Sequence, residues 1–265
     1  MPVRKTKIST NGHREVLVCC GSGCPGSEQV RQRLEEEIAR SGLEIGIKPT
    51  GCHGFCQRGP TVLIEPEDIL YCQVAEDDVP EIVNRHLQQN KLVDRLLYVD
   101  PSSGQVIPRY ADIRFFQEQN RVVLRNCGQI NPERIDDYLA RGGYESLKKV
   151  LFTMQPKEVV DLIKRSGLRG RGGAGFPTGT KWEFCHNAPG DQKYMICNAD
   201  EGDPGAFMDR SILEADPNSV LEGLAIAAYA IGASQGYVYV RAEYPLAVKR
   251  LHTALVQAQE RGFLG

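Results

Sequence analysis

Cys19, Cys24, Cys52 and Cys56 are spaced as Cys-x4-Cys and Cys-x3-Cys, each pair set among glycines. A thiolate-bound cluster needs four sulfurs converging from two loops, with backbone amides free to hydrogen-bond its sulfides. Gly21, Gly23, Gly26, Gly51 and Gly54 permit that close approach. The spacing is not the Cys-x2-Cys of a redox dithiol or of most zinc ribbons. The quartet therefore reads as the ligand set of a 2Fe–2S cluster. A four-thiolate zinc site and plain buried thiols are the alternatives. Cys20 is a neighbour that competes for a ligand place, and its plainer reading is a small buried residue. Cys72 reads as core, and Cys127, Cys185 and Cys197 are too scattered to form a second site.

A second constellation is the run from Leu168 to Gly179, with glycines at 170, 172, 173, 175 and 179. It contains G-x-G-x-x-G at Gly170, Gly172 and Gly175. A dinucleotide fingerprint of that form must follow a strand, whereas a helical pattern precedes this one, so a standard Rossmann fold is rejected. The physical content survives: successive glycines let the backbone present several N–H groups to an anion. Arg169, Arg171 and Lys181 add positive charge suited to phosphate. Phe176, Trp182 and Phe184 close the loop. Their faces suit a flat nucleotide ring, and they serve a core equally well. The third constellation, Asn198-Ala199-Asp200-Glu201-Gly202-Asp203-Pro204-Gly205, follows an apolar strand. Acids at a strand end, set against a basic glycine loop, suit ribose hydroxyls or the edge of a flavin ring. Taken singly, each acid reads as a turn residue or a helix cap.

The elements that must position these residues follow from periodicity. Glu15–Cys19 is a short apolar strand. Ser27 to Arg40 is a helix with Val30, Leu34 and Ile38 on one face, ended at Gly42. Leu43–Pro49 reads as a strand, and Thr61–Glu65 and Ile69–Val74 flank a Pro-Glu-Asp hairpin turn. A helix capped at Asp77 or Asp78 runs through Leu87. The order β-α-β-β-β-α suits a small sheet covered by helices. Turn formers between Tyr98 and Asp112 mark a linker, and Arg114 to Arg125 reads as a strand or extended arm. Helices follow over Ile135–Ala140, Tyr144–Phe152 and Lys157–Ser166, the last with Pro156 in its first turn. Lys193–Asn198 and Gln235–Arg241 read as strands, Pro217–Ile231 as a largely apolar helix, and Pro245–Arg261 as an amphipathic one.

Composition bounds the rest. The chain has 265 residues, 41% of them hydrophobic and 25% charged, which suits a soluble protein of two domains. A net charge of −2 gives no indication of nucleic acid or an anionic membrane. No apolar run reaches bilayer length, and the longest candidate, Val220–Ala233, contains Glu222. Met1–Lys7 is basic but no apolar segment follows, so no secretory signal is expected. A reducing compartment, the cytoplasm, follows. Nine cysteines there point to metal ligation rather than disulfides.

The strings VCCGSGCPGS and GCHGFCQRGP resemble the thioredoxin-like 2Fe–2S ferredoxin domain that accompanies NADH-binding flavoproteins of respiratory complex I and NAD-linked hydrogenases. SGLRGRGGAGFPTGTKWEF and ICNADEGDPGAFMDR resemble the FMN- and NADH-binding region of the same flavoproteins, and RNCG-x-INPE and RGGYESLKK their lead-in. The fused arrangement is most similar to hydrogenase and formate dehydrogenase subunits. The resemblance runs from about Val16 to Gly265. It implies an α/β chain: a thioredoxin-like 2Fe–2S domain over 13–97, a linker and arm over 98–131, and the N-terminal part of a non-standard, non-Rossmann FMN/NADH-binding domain over 132–265. It implies Cys19, rather than Cys20, as the partner of Cys24. It further implies that Gly170, Arg171, Gly172, Gly173 and Lys181 line FMN and its phosphate. Asn198 and Asp200 would hydrogen-bond the flavin, Phe176 and Phe184 would stack on the NADH adenine, and Glu201 would lie by the nicotinamide. Asp203 stands where complex I members usually carry Glu and hydrogenase-type members often carry Asp. The implied activity is that of an NADH dehydrogenase-type electron-transfer subunit. It would work with other iron–sulfur subunits, without nucleic acid and without a membrane span of its own, in the cytoplasm or peripheral to a membrane through its complex. The family's later flavin-pocket segments, its ubiquitin-like module and its 4Fe–4S domain are not in this sequence, so the flavin site is expected to be incomplete. A carrier holding only the 2Fe–2S cluster, with no nucleotide, is the rival reading.

Overall fold

The structure, a computed structural model, describes residues 14–265. The readings placed on Met1–Lys7 and on His13 lie outside those residues. The chain divides into two compact units, the first ending at Asn131 and the second running from Pro132 to Gly265.

The first unit is built on a sheet of order β2-β1-β3-β4, from β1 (Glu15–Cys19), β2 (Gly46–Thr50), β3 (Val62–Glu65) and β4 (Ile69–Tyr71). β1 pairs in parallel with β2, and a parallel pair requires a crossover. Helix α1 (Ser27–Ser41) supplies it, with Val30, Leu34 and Ile38 buried and Gly42 closing it in the left-handed region. β3 runs antiparallel to β1 and turns directly into β4. Alternation along β1 divides the core in two. Val16 and Val18 join Val62, Ile64 and Tyr71 beneath α1 and a second helical stretch. That stretch is a 3-10 turn, Glu76–Asp78, then α2 (Val79–Glu81), continued in a wide turn over Ile82–Gln88.

Leu17, Leu63, Leu70 and Cys72 face the other way and are buried as well. Because both faces of β1 are apolar, something must cover the second. Residues of the 98–131 segment do so: Tyr98, Tyr110, Ile113 and Phe116 pack there. The segment thus forms a layer of the unit, where its turn formers had suggested a linker. It contains a small antiparallel pair, β5 (Tyr98–Val99) with β6 (Val106–Ile107). In place of the expected strand or arm, Arg114–Gln117 is a short helix, α3, followed by turns. A helical turn puts Phe116 on the sheet, which an extended chain of the same length would not.

The second unit carries α4 (Ile135–Leu139), α5 (Glu145–Thr153), α6 (Pro156–Ser166), α7 (Thr178–Asn187), β7 (Tyr194–Ala199), α8 (Met208–Ala215), α9 (Pro217–Ile231), β8 (Gln235–Val240) and α10 (Pro245–Glu260). β7 and β8 pair in parallel, Tyr194 opposite Gln235 and Ala199 opposite Val240, with α8 and α9 as the crossover. Cys197, Val238 and Val240 pack with Leu213, Leu221, Tyr244 and Leu251. Glu222, the charge inside the apolar helix α9, is buried. Its carboxylate accepts from the Tyr144 and Leu147 amides, at 2.9 and 3.1 Å, and from the Tyr138 hydroxyl at 2.5 Å. It therefore caps the N-terminus of α5, whose first amides have no partner within their own helix.

Candidate functional site

The four cysteines lie where strands end. Cys19 closes β1, Cys52 follows β2, and Cys56 opens a 3-10 turn, Cys56–Arg58. Cys19, Cys24 and Cys52 form a buried cluster, while Cys56 is exposed. The sulfurs of Cys19 and Cys24 are 3.4 Å apart, and those of Cys52 and Cys56 3.5 Å. Two thiolates on one tetrahedral metal, each at about 2.3 Å, stand roughly 3.8 Å apart, so each pair is within a few tenths of an ångström of gripping one iron. Among the described residues no three Cys, His, Asp or Glu side chains are placed to hold a single ion. Two pairs suit two bridged irons. One zinc would need all four sulfurs around one point.

The surroundings fit such a cluster. The Gly54 amide donates to the Cys52 sulfur at 3.2 Å, the kind of N–H···S bond that tunes a thiolate ligand. A Cβ on Gly59 would come within 2.8 Å of the Cys24 sulfur, so the loop after Cys56 closes tightly over that ligand. The hydrogen bond with Cys24, and then burial, push the Cys19 thiol up to about 12, against a hydrogen bond with Cys52 that lowers it. The hydrogen bond with Cys19 and then burial push the Cys52 thiol up as well. Cys20 takes the opposite direction from Cys19: its amide donates to Thr50 at 2.9 Å and its side chain packs against the α1 core. Cys72 lies in the second core and Cys127 is buried.

Beside the quartet stands a residue that spacing did not single out. His53 is buried, and both its ring nitrogens lack a hydrogen-bond partner among the described residues. Tyr110 and Phe116 enclose it at ring separations of 5.4 and 6.5 Å. Burial, then the charge of Arg121, pushes its imidazole down to about 4. Its position between Cys52 and Gly54 was the available signal.

The glycine loop hangs between α6 and α7. Gly170 N–H donates to Phe176 and Thr178 N–H to Leu168, both at 2.9 Å, which ties the loop at its neck. Gly173 and Gly175 are in the left-handed region, which lets the turn present its amides outward. A Cβ at Gly172, Gly173 or Gly175 would meet nothing within 4 Å, so the loop is an open cradle. It leads into the N-terminus of α7, where Lys181 and Arg171 are exposed. A helix N-terminus preceded by outward-facing amides is a physical match for phosphate. Of the three aromatics, Trp182 packs into the core with Val159 and Val160. Phe176 and Phe184 stay out, 43% and 63% exposed, with centroids 6.5 Å apart. Their faces are free to stack.

The acidic segment leaves the carboxyl end of β7, the end at which parallel sheets take their ligands. Asn198 Oδ1 accepts from the Asp200 amide at 3.2 Å, and Asn198, Asp200 and Asp203 are exposed. Glu201 differs: it is buried. Its carboxylate accepts from the Asp209 amide at 3.0 Å, the Arg210 amide at 3.3 Å and the Tyr244 hydroxyl at 3.1 Å. Burial raises its pKa, but these donors outweigh that and hold it below the usual carboxylate range. Glu201 thus caps α8 and ties the segment to α10. Arg241, which also escaped the motif reading, donates to the Glu201 carbonyl from the end of β8. The glycine loop and the acidic segment are held by different elements, and both sets pack on α9.

Residues 163–263 match the Nuo51 FMN-binding domain. The NADP-reducing hydrogenase subunit HndC of Solidesulfovibrio fructosivorans is 65% identical over 149 residues, 56% of this chain and 30% of that protein. The NAD-reducing hydrogenase HoxS subunit alpha of Cupriavidus necator is 34% identical over 247 residues, 91% of this chain and 38% of that protein. A solved thioredoxin-like [2Fe-2S] ferredoxin from Aquifex aeolicus is 35% identical, with 31% of this chain and 93% of that one covered and a TM-score of 0.29. The chain spans about a third of the length of the curated relatives it matches. Over residues 163–263 the chain is thus similar to flavoprotein subunits of hydrogenases and NADH-quinone oxidoreductases.

Proposed function

We propose that the chain serves as an electron-transfer subunit of an NAD(H)-dependent oxidoreductase, exchanging a hydride between NADH and FMN and relaying single electrons through iron–sulfur centres. The observation that carries this reading is the match of residues 163–263 to the FMN-binding domain, in the same chain as two thiol pairs spaced to grip two irons. When bound, FMN supplies the change from two-electron to one-electron chemistry and the cluster supplies one-electron storage.

The chain's own residues bind and orient. The amides of the 170–175 turn, the N-terminus of α7, Arg171 and Lys181 would hold the FMN phosphate. Asn198 and Asp200 would orient the flavin, and Phe176 and Phe184 would receive the adenine face. Asp203 would lie at the rim. Glu201 acts through position: by capping α8 it fixes the turn on which Asp200 and Asp203 sit. Hydride transfer needs no protein general base, and none is assigned. Cys19, Cys24, Cys52 and Cys56 would ligate the 2Fe–2S cluster. In this reading the first unit is the cluster domain and the second is the beginning of the flavin and nucleotide domain. Both would work beside other iron–sulfur subunits in the cytoplasm. No helix among the described residues is long and apolar enough to cross a membrane.

A second reading is favoured by one observation: the thiol quartet is held wholly by the first unit, while most of the nucleotide residues stand exposed. The chain would then be a carrier of the 2Fe–2S cluster alone. Reconstitution with FMN and iron separates the two. Releasable flavin with NADH-dependent dye reduction supports the first. Iron–sulfur absorption without retained flavin supports the second and rejects the first.

A further inference from the structure

We propose that Cys56 and Cys52 form a thiol–disulfide exchange site that reacts with small disulfides, such as oxidised glutathione, when the quartet holds no iron. The exchange rests on where the sulfurs lie, and its consequence for the cluster rests on the ligand reading above. Access selects the attacking sulfur. Of the nine cysteines, all among the described residues, Cys56 is the exposed one, while Cys19, Cys24 and Cys52 are buried. Thiolate character and exposure decide which thiols react with oxidants. The Cys52 sulfur stands 3.5 Å from that of Cys56, placed to resolve a mixed disulfide formed there. An S–S bond is about 2.0 Å long, so the two sulfurs must close by roughly 1.5 Å. The loop between them has room for that movement: Gly54 has φ +80°, and a Cβ there would meet nothing within 4 Å.

The other pair is as close but shielded. The Cys19 and Cys24 sulfurs are 3.4 Å apart, and both residues are buried. Cys19 is fixed in β1 by its pairing with Thr50 and by the bond from its amide to the Thr61 carbonyl at 3.2 Å. Gly59 lies against the Cys24 sulfur so closely that a Cβ there would come within 2.8 Å. Burial under that loop sets Cys24 behind Cys56 in reactivity.

The chemistry is ordinary exchange. The Cys56 thiolate attacks one sulfur of the small disulfide; a new S–S bond forms, the reagent's S–S bond breaks, and one small thiolate leaves. The Cys52 thiolate then attacks the Cys56 sulfur and expels the second. The two cysteines have lost two electrons and two protons, and the reagent has become two thiols. A disulfide on an exposed residue is of the labile kind, which added thiol reopens. While it stands, one iron of the cluster has neither of its thiolates. Iron on the quartet in turn withholds both sulfurs from exchange, so the site answers to the empty chain.

The test treats the full chain, freed of iron and fully reduced, with oxidised glutathione under anaerobic conditions. Samples are quenched at intervals and their disulfides mapped by mass spectrometry. The expected result is a Cys52–Cys56 bond that appears before any bond to Cys19, Cys20 or Cys24 and is lost on adding dithiothreitol. Cys52→Ser should stop at a glutathione adduct on Cys56, and Cys56→Ser should lose the early bond. In the chain loaded with its cluster, the same reagent should leave Cys56 unmodified and the visible spectrum unchanged. A first bond between Cys19 and Cys24, a crossed bond such as Cys19–Cys52, an adduct that stays on Cys56 of the parent, or no bond at all overturns the proposal. Closure at equal rates in the loaded and the iron-free chain overturns it also. If the reduced chain forms no iron–sulfur absorption on reconstitution, the cluster reading fails, and the map of the iron-free parent still decides the exchange.

Discussion

Gly128 lies face to face with the imidazole of His53: a Cβ at position 128 would fall 2.2 Å from Nδ1 and 2.3 Å from Cε1. Gly128 also has φ +78°, in the left-handed region. Two requirements for glycine thus coincide at the point where the 98–131 layer meets the loop between Cys52 and Cys56. Replacing it by alanine must displace His53 and strain the backbone at once. Overpacking and left-handed strain each cost about 1–3 kcal/mol, so Gly128→Ala is expected to destabilise the first unit by about 3 kcal/mol or more in urea unfolding. An unchanged midpoint would show that the contact is not tight.

The ligand choice has its own test. Serine at Cys19, Cys24, Cys52 or Cys56 should abolish or rearrange the cluster's visible and EPR spectra, because each removes one of two thiolates on an iron. Cys20→Ser should leave both spectra intact, since that side chain packs toward α1. Loss of the cluster in the Cys20 variant alone would reverse the assignment.

Glu201 is expected to matter for stability before it matters for chemistry. Removing its carboxylate strands two amide donors and a hydroxyl. Glu201→Ala should therefore lower unfolding stability by roughly 1–3 kcal/mol. Asp203→Asn, on the exposed part of the same segment, should change it by less than about 0.5 kcal/mol. Equal stability in both variants would contradict the capping role.

His86 sets a pH dependence. Its Nδ1 meets the Tyr71 hydroxyl at 2.9 Å, and the ring is fully buried. Burial lowers its pKa from 6.5 to about 4, with Glu67 opposing and Arg14 adding to the shift. The unfolded chain therefore takes up the proton first as pH falls. The stability tied to neutral His86 is intact above 6.5, declines between 6.5 and about 4, and is fully lost below that. The loss amounts to about 3 kcal/mol. Urea midpoints at several pH values should fall more steeply for the parent than for His86→Gln. Parallel slopes would exclude the effect.

Much of this site was legible in the residues. The two thiol pairs announce themselves because cluster ligation needs sulfurs and glycines close in sequence. The strands announce themselves because β1 is apolar at every inner position. The cover on its second face was not legible. Tyr98, Tyr110 and Phe116 are spread among turn formers, and only the fold brings them into one layer. Buried carboxylates were hidden for a similar reason. Glu201 read as an acid offered to a ligand and Glu222 only as a charge interrupting an apolar run, yet Glu201 accepts from the first amides of α8 and Glu222 from those of α5. Such caps depend on where the next helix starts, which local spacing does not encode.

In the proposed function, NADH reduces a two-iron cluster of this chain by way of flavin. The direct measurement is an anaerobic titration of the flavin- and iron-reconstituted chain with NADH, followed by visible absorption and low-temperature EPR. NADH is expected to bleach the flavin band and bring up the EPR signal of a reduced 2Fe–2S cluster in the same sample. Bound flavin and an intact cluster that both stay oxidised with excess NADH would contradict it.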